Sequence, residues 1–132
     1  MSLQHFVTDI QVRFGDTDML GHINNAAYVQ YLELARVAHL GEIVRRGGPR
    51  LNMVLASLKV DFRREIKLGQ RVQVELEVTR LGTSSFDYAY RVLADGELCA
   101  EASSVQVCVD PSSMRPLPLS GELRALLMPV LT

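Results

Sequence analysis

Near the start of the chain, Phe6, Thr8, Ile10, Val12 and Phe14 alternate with Asp9, Gln11 and Arg13, a period that predicts a half-buried strand. Gly15 to Asn24 is then rich in Gly, Asp, Thr and Asn, which suit a loop and can cap a following helix. From about Asn25 to Arg46 the spacing becomes helical, with Tyr28, Tyr31, Leu32, Ala35 and Ala38 on one side and Gln30, Glu33 and Arg36 opposite. Gly47-Gly48-Pro49 predicts the end of that helix, because glycine accepts a left-handed backbone and proline cannot extend a helix. At about 1.5 Å per residue the helix would be about 30 Å long. In a chain of 132 residues, the remainder must wrap around it.

Alternation returns afterwards. Val54, Ala56, Leu58, Val60 and Phe62 predict one strand, Val72, Val74, Leu76 and Val78 a second, and Phe86, Tyr88, Tyr90 and Val92 a third. Leu68-Gly69 supplies a turn, and Asp95-Gly96 is a strong hairpin signal. In the last strand Leu98, Ala100 and Ala102 share one phase while Val105, Val107 and Val109 share the other. A β-bulge is therefore expected near Ser103 and Ser104. Pro111 closes that strand, and Glu122 to Met128 predicts a short helix before Pro129. Short connections favour antiparallel neighbours, so the expected architecture is α+β: one domain over residues 1–132, with a curved antiparallel sheet of about five strands around one helix.

Composition narrows the function classes. Apolar residues at 48% and charged residues at 22% predict a folded globular chain, and a net charge of −1 provides no basic field for nucleic acid. No apolar run approaches the roughly 18 residues of a membrane span, and Met1-Ser2-Leu3-Gln4-His5 lacks the pattern of a signal peptide, so a cytoplasmic protein is expected. Cys99 and Cys108 are too few for a disulfide framework and lack zinc-site spacing; free buried thiols are expected, with a mutual disulfide as the alternative.

The densest polar cluster, Asp16-Thr17-Asp18-Met19-Leu20-Gly21-His22-Ile23-Asn24-Asn25, lies at the entrance to the helix. Backbone N–H groups of a first helical turn have no intrahelical acceptor and can hold an oxyanion, and a carboxylate beside them can act as base or nucleophile. Asp16, Asn24 and Asn25 can equally shape the loop and cap the helix, and His22 can be a structural histidine bonded to local backbone. A calcium loop is excluded, because Leu20 stands where an oxygen ligand belongs and Ala27 where a bidentate Glu belongs. Nothing in the spacing enforces a metal on Asp16, Asp18 and His22, so none is expected. The serine-hydrolase elbow, dinucleotide fingerprint and P-loop are absent from the sequence. His39 falls on the apolar helix face and reads as a core histidine, and His5 as a solvated one. Arg63 and Arg64, with Lys59 and Lys67, form a basic patch suited either to a phosphorylated carrier or to a solvated strand edge. Ser84 and Ser85 fit either a turn or ligand contacts.

The run Val12 to Tyr28 closely resembles the hydroxybenzoyl-CoA thioesterase-like branch of the hotdog superfamily, in the version that continues G-H-x-N-N-x-x-Y. The resemblance extends through Asp61-Phe62, Leu68-Gly69 and Leu81-Gly82-Thr83-Ser84-Ser85. It implies a hotdog fold and an acyl-CoA thioesterase that releases a free acid and CoA or an acyl-carrier thiol. Asp18, the second Asp of D-x-D, would be the catalytic carboxylate. Asn24, Asn25 and Tyr28 would receive the thioester carbonyl at the helix start. From the residues themselves rather than the resemblance, His22, Ser84 and Ser85 are expected as further substrate contacts, and Arg63 or Arg64 as contacts to the phosphates of CoA. No metal or organic cofactor is implied, because the CoA or acyl-carrier arm belongs to the substrate. Protomers of such proteins pair edge to edge into dimers, often again into tetramers, with active sites at the dimer interface. Arg63-Arg64-Glu65-Ile66 lacks a proline that many relatives carry there, and the hydroxybenzoyl-type members lack H-x-N-N. The aryl substrate of that subgroup is therefore not carried over, and a fatty or otherwise hydrophobic acyl group is expected. The contrasting function is a non-catalytic module that binds acyl thioesters.

Overall fold

The computed structural model describes residues 3–127. Strand β1 (His5–Ile10) leads through a 3₁₀ turn (Phe14–Asp16) to helix α1 (Asn25–Arg45). Strands β2 (Met53–Phe62), β3 (Val72–Leu81), β4 (Ser85–Ala94) and β5 (Glu97–Cys108) follow, then helix α2 (Gly121–Leu127). The five strands form one sheet in the order β1-β3-β4-β5-β2, and each neighbouring pair is antiparallel. The inner face, made by Val72, Val74, Leu76, Val78, Phe86, Tyr88, Tyr90 and Val92, is buried together with Ala27, Tyr28, Tyr31, Leu32, Ala35, His39 and Ile43 of α1. This is the hotdog arrangement, a sheet curled over one helix. Each large apolar side chain buried this way contributes about 1.5–3 kcal/mol.

Both ends of α1 follow the expected chemistry. Asn24 is the N-cap, its side chain accepting from the Ala27 N–H at 2.8 Å. Beyond the C-cap, Gly47 takes φ +87. Gly48 is needed for packing, since a Cβ there would lie 2.7 Å from Ile43 Cγ2. Asp95 and Gly96 take φ 49 and 81, the left-handed pair of a type I′ hairpin, and bring Ala94 opposite Glu97. The short C-terminal helix is present through Leu127; Met128 lies outside the described residues.

Three strand expectations are corrected. β1 stops at Ile10 instead of running to Phe14, a residue that is 82% exposed. The Asp16 carboxylate accepts from the Arg13 N–H at 2.9 Å and turns the chain before alternation can continue. In β2, Ala56 is the extra residue between Leu55, opposite Gln106, and Ser57, opposite Val105, so the phase of Val54 is not that of Leu58 and Val60. β5 has no bulge at Ser103 and Ser104; its irregularity falls where Val92 faces Ala100 and Leu93 faces Leu98. Beyond that point Ala100, Ser104, Gln106 and Cys108 are buried. Ser104 bonds the Tyr90 hydroxyl and Gln106, and Gln106 donates to the Phe86 carbonyl at 3.0 Å. A satisfied polar pair can occupy inward positions at little cost, and the valines between them face the other side. Arg36 also departs from the wholly polar face expected of it: it is half-buried and donates to the Tyr90 hydroxyl at 3.2 Å.

Candidate active site

The loop before α1 is a closed turn. Asp18 N–H donates to the His22 carbonyl at 2.7 Å, while Asp18 Oδ1 accepts from the N–H groups of Leu20 and His22 at 2.8 and 3.0 Å. Gly21 supplies the φ of +80 that lets the turn close. The His22 and Leu20 N–H donors hold the Asp18 carboxyl below its usual range. Asp18 is exposed and therefore ionised at neutral pH, and among the described residues no hydrogen bond engages Oδ2.

Asp16 is built differently. It is 4% exposed and accepts from the Tyr31 hydroxyl at 2.8 Å as well as from the Arg13 N–H. Burial pushes its carboxyl up, but the Arg13 N–H, the Tyr31 hydroxyl and the Arg13 guanidinium outweigh that and leave it lowered. It is a buried anchor of the loop.

Asp18, His22, Ile23, Asn24, Asn25 and Tyr28 line a cavity of about 380 Å³ with Phe62, Arg63, Arg64 and Glu65 from the end of β2 and beyond. Asn24 satisfies the Ala27 N–H, which leaves the N–H groups of Asn25 and Ala26 without an acceptor among the described residues. The first turn carries no acidic side chain, so the positive end of the helix is not neutralised from within the helix. Tyr28 donates to the Arg64 carbonyl at 3.2 Å and meets the Phe62 ring edge-on at 5.1 Å. Burial pushes the Tyr28 hydroxyl up to about 12, so it stays a neutral donor. Arg63 pairs with Glu101 at 3.1 Å and Arg64 with Glu97, all more than two-fifths exposed. Such exposed pairs are weak and can exchange for a stronger anion.

The geometry thus gathers a free carboxylate oxygen, an open helix N-terminus and two exchangeable cations around one cavity. A family model for the thioesterase-like superfamily matches residues 12–127. The chain belongs to the thioesterase-like superfamily. It is 30% identical over 124 residues to a 1,4-dihydroxy-2-naphthoyl-CoA hydrolase of Synechococcus elongatus, covering 86% of this chain and 88% of that one. It is 27% identical over 134 residues to the acyl-CoA thioester hydrolase YbgC of Escherichia coli, covering 95% and 97%. A thioesterase of Thermus thermophilus, solved with coenzyme A and Zn, matches with a TM-score of 0.80 and 35% identity over 92% of this chain and 96% of that one.

Of the residues expected in this thioesterase-like site, Asp18, His22, Asn24, Asn25, Tyr28, Arg63 and Arg64 surround one cavity. Ser84 and Ser85 do not line it. The Ser84 carbonyl accepts from the Cys108 N–H at 2.7 Å, and the Ser85 hydroxyl accepts from Arg80 at 3.3 Å. Sequence reasoning passes over Ile23, Phe62 and Glu65 as lining residues. Alternation assigns Phe62 to the core, yet it is 46% exposed. Glu65 has a visible signal, as the one acid within the run Arg63-Arg64-Glu65-Ile66-Lys67. No helix among the described residues is long and apolar enough to cross a membrane.

Proposed function

We propose that the chain is a cytoplasmic hotdog thioesterase of the G-H-x-N-N-x-x-Y type, a single domain that hydrolyses acyl-CoA or acyl-carrier thioesters to a free acid and a thiol. The observation that carries this reading is the exposed Asp18 carboxylate, with Oδ2 unengaged, in the same cavity as an N-terminal helix turn that has N–H groups to spare. The names of the relatives, two of them thioester hydrolases, support the same chemistry.

In this reading the thioester carbonyl points at the helix end near Asn25 to Tyr28, and Asp18 activates water or attacks directly. The helix end stabilises the developing oxyanion, worth about 3 kcal/mol for a well-placed donor. Arg63 and Arg64 exchange their glutamate partners for the phosphates of CoA. The acyl group is fatty or otherwise hydrophobic. Protomers assemble into dimers or tetramers, and Ser84 and Ser85, outside the cavity of their own chain, touch substrate only across a subunit interface. The test is a panel of acyl-CoAs incubated with the protein and a thiol reagent. Free CoA should accumulate catalytically; saturable binding without release would replace the hydrolase by an acyl-thioester-binding module.

A further inference from the structure

The entrance loop and the segment after β2 are stitched together by backbone. Ile23 N–H donates to the Ile66 carbonyl at 2.8 Å, Leu68 N–H donates to the Gly21 carbonyl at 3.2 Å, and His22 and Lys67 form an isolated bridge. This stitching sets His22 Nδ1 3.1 Å from Glu65 Oε2. Both residues line the cavity that holds Asp18. A carboxylate can only accept at that distance, so Nδ1 carries its hydrogen toward Glu65 and Nε2 is the ring atom left for chemistry. The His22 side chain is 25% exposed and that of Glu65 70%, which keeps the ring in the wall and the anion on its solvent side. Meanwhile the main chain of His22 grips Asp18 at both N–H and carbonyl. One short turn therefore presents two groups able to carry protons, through different atoms.

We propose that His22 is a second catalytic residue, which gives its Nε2 proton to the departing thiolate sulfur, and that Glu65 is the positioning residue that orients the ring and stabilises the imidazolium. The proposal rests on the thioester-hydrolase reading. With water as nucleophile, Asp18 takes a proton as the water oxygen bonds to the thioester carbon, and the carbonyl electrons move onto the oxyanion at the helix end. When the oxyanion re-forms the carbonyl, the C–S bond breaks, its electron pair goes to sulfur, and sulfur takes the proton from Nε2. Free acid and free thiol leave. Asp18 then loses its proton to solvent and His22 regains one from solvent, so thioester and water have become acid and thiol with both side chains restored.

The test compares wild type, His22→Gln, Glu65→Gln and Asp18→Asn on two thioesters of one acyl group. One is the CoA ester, which expels an alkyl thiolate; the other is the ester of thiophenol, whose weakly basic thiolate leaves without a proton. His22→Gln should lower kcat on the CoA ester about 100-fold but on the aryl ester less than about tenfold, because general acid catalysis matters only where the leaving group needs it. Glu65→Gln should show the same asymmetry at smaller amplitude, and Asp18→Asn should lose both substrates alike. Equal losses on the two esters, or undiminished turnover of the CoA ester by His22→Gln, overturn the proposal. Should His22→Gln fail to fold, the exposed Glu65→Gln decides, and a leaving-group-independent effect there overturns it too. A wild-type protein that releases no thiol from either ester removes the hydrolase reading and this proposal with it, whereas active wild type with symmetric variants removes this proposal alone.

Discussion

Two carboxylates separated by one residue meet opposite environments, and their substitutions should separate accordingly. Asp18 is exposed, with one oxygen tied to the turn and the other unengaged. Asp18→Asn keeps the shape and most of the hydrogen bonding but provides neither base nor nucleophile, so kcat should fall at least about 100-fold with ligand affinity nearly unchanged. Steady-state kinetics on a folded variant that keeps more than about a tenth of wild-type kcat would remove the assignment. Asp16 is instead bound by Tyr31 and Arg13 inside the fold. Its folded carboxyl lies below the ordinary value of 3.8, so its stabilising effect is complete above that value and is lost as pH falls through the lowered one. Asp16→Asn should act on loop stability, by about 1–3 kcal/mol, and should flatten the acid limb of a melting curve recorded below about pH 4. Arg63 and Arg64 belong to binding rather than chemistry: reversing both charges should raise KM for an acyl-CoA more than it lowers kcat. Unchanged kinetic constants would return both arginines to a solvated edge.

Helix α1 carries the clearest consequence of one buried polar contact. His39 Nε2 lies 2.7 Å from the Leu3 carbonyl, which can only accept, so Nε2 bears the hydrogen and Nδ1 accepts from the Tyr88 hydroxyl at 2.6 Å. Burial pushes the imidazole below its ordinary 6.5, so its contribution to stability is complete above that value and declines as pH falls below it. The wild-type melting temperature should therefore drop between about pH 7 and pH 5, and His39→Gln, which does not titrate, should lose that part of the slope. An identical slope in the variant would place the acid sensitivity elsewhere. His39 was legible as a core histidine because a 3.6-residue period marks one helix face, and the Asn24 cap and Asp95-Gly96 turn because their chemistry is local. The phase of β5 was not legible, because Ser104 and Gln106 become inward-facing only through partners on β4, Tyr90 and Phe86. The same holds for β1, whose early end depends on a carboxylate six residues past its last residue. At the site, Asp18 and the helix start share one continuous segment and could be read together. Glu65 reaches His22 from 43 positions away, through backbone pairing that no local pattern announces.

At the scale of the whole molecule, the two outer edges of the sheet differ. β1 is six residues long and exposes His5, Asp9 and one large apolar residue, Val7, while β2 has ten residues and displays three, Val54, Leu55 and Phe62, at 39%, 42% and 46% exposure. Helix α1 also exposes Val29, Leu34 and Val37. A long edge strand with apolar side chains invites pairing with another chain, whereas short charged edges discourage it. Antiparallel pairing of β2 with its own copy is self-complementary, as two-fold symmetry requires, and would bring the Phe62 end of one strand, which borders the Asp18 cavity, beside the Met53 end of the other. Met53 and Leu55 border a second cavity of about 190 Å³ with Glu33, Arg36, Leu40 and Gln106, so pairing would set its apolar wall, Met53, Leu55 and Leu40, next to the Phe62 end of the other protomer's cavity. Light scattering at micromolar concentration should accordingly give a dimer or tetramer. Replacing both Val54 and Leu55 by Lys should shift the mass toward monomer and lower kcat/KM for a long acyl-CoA more than for a short one, because only the long chain needs the second protomer. A wild-type protein that is monomeric and fully active at that concentration would confine the site to a single chain.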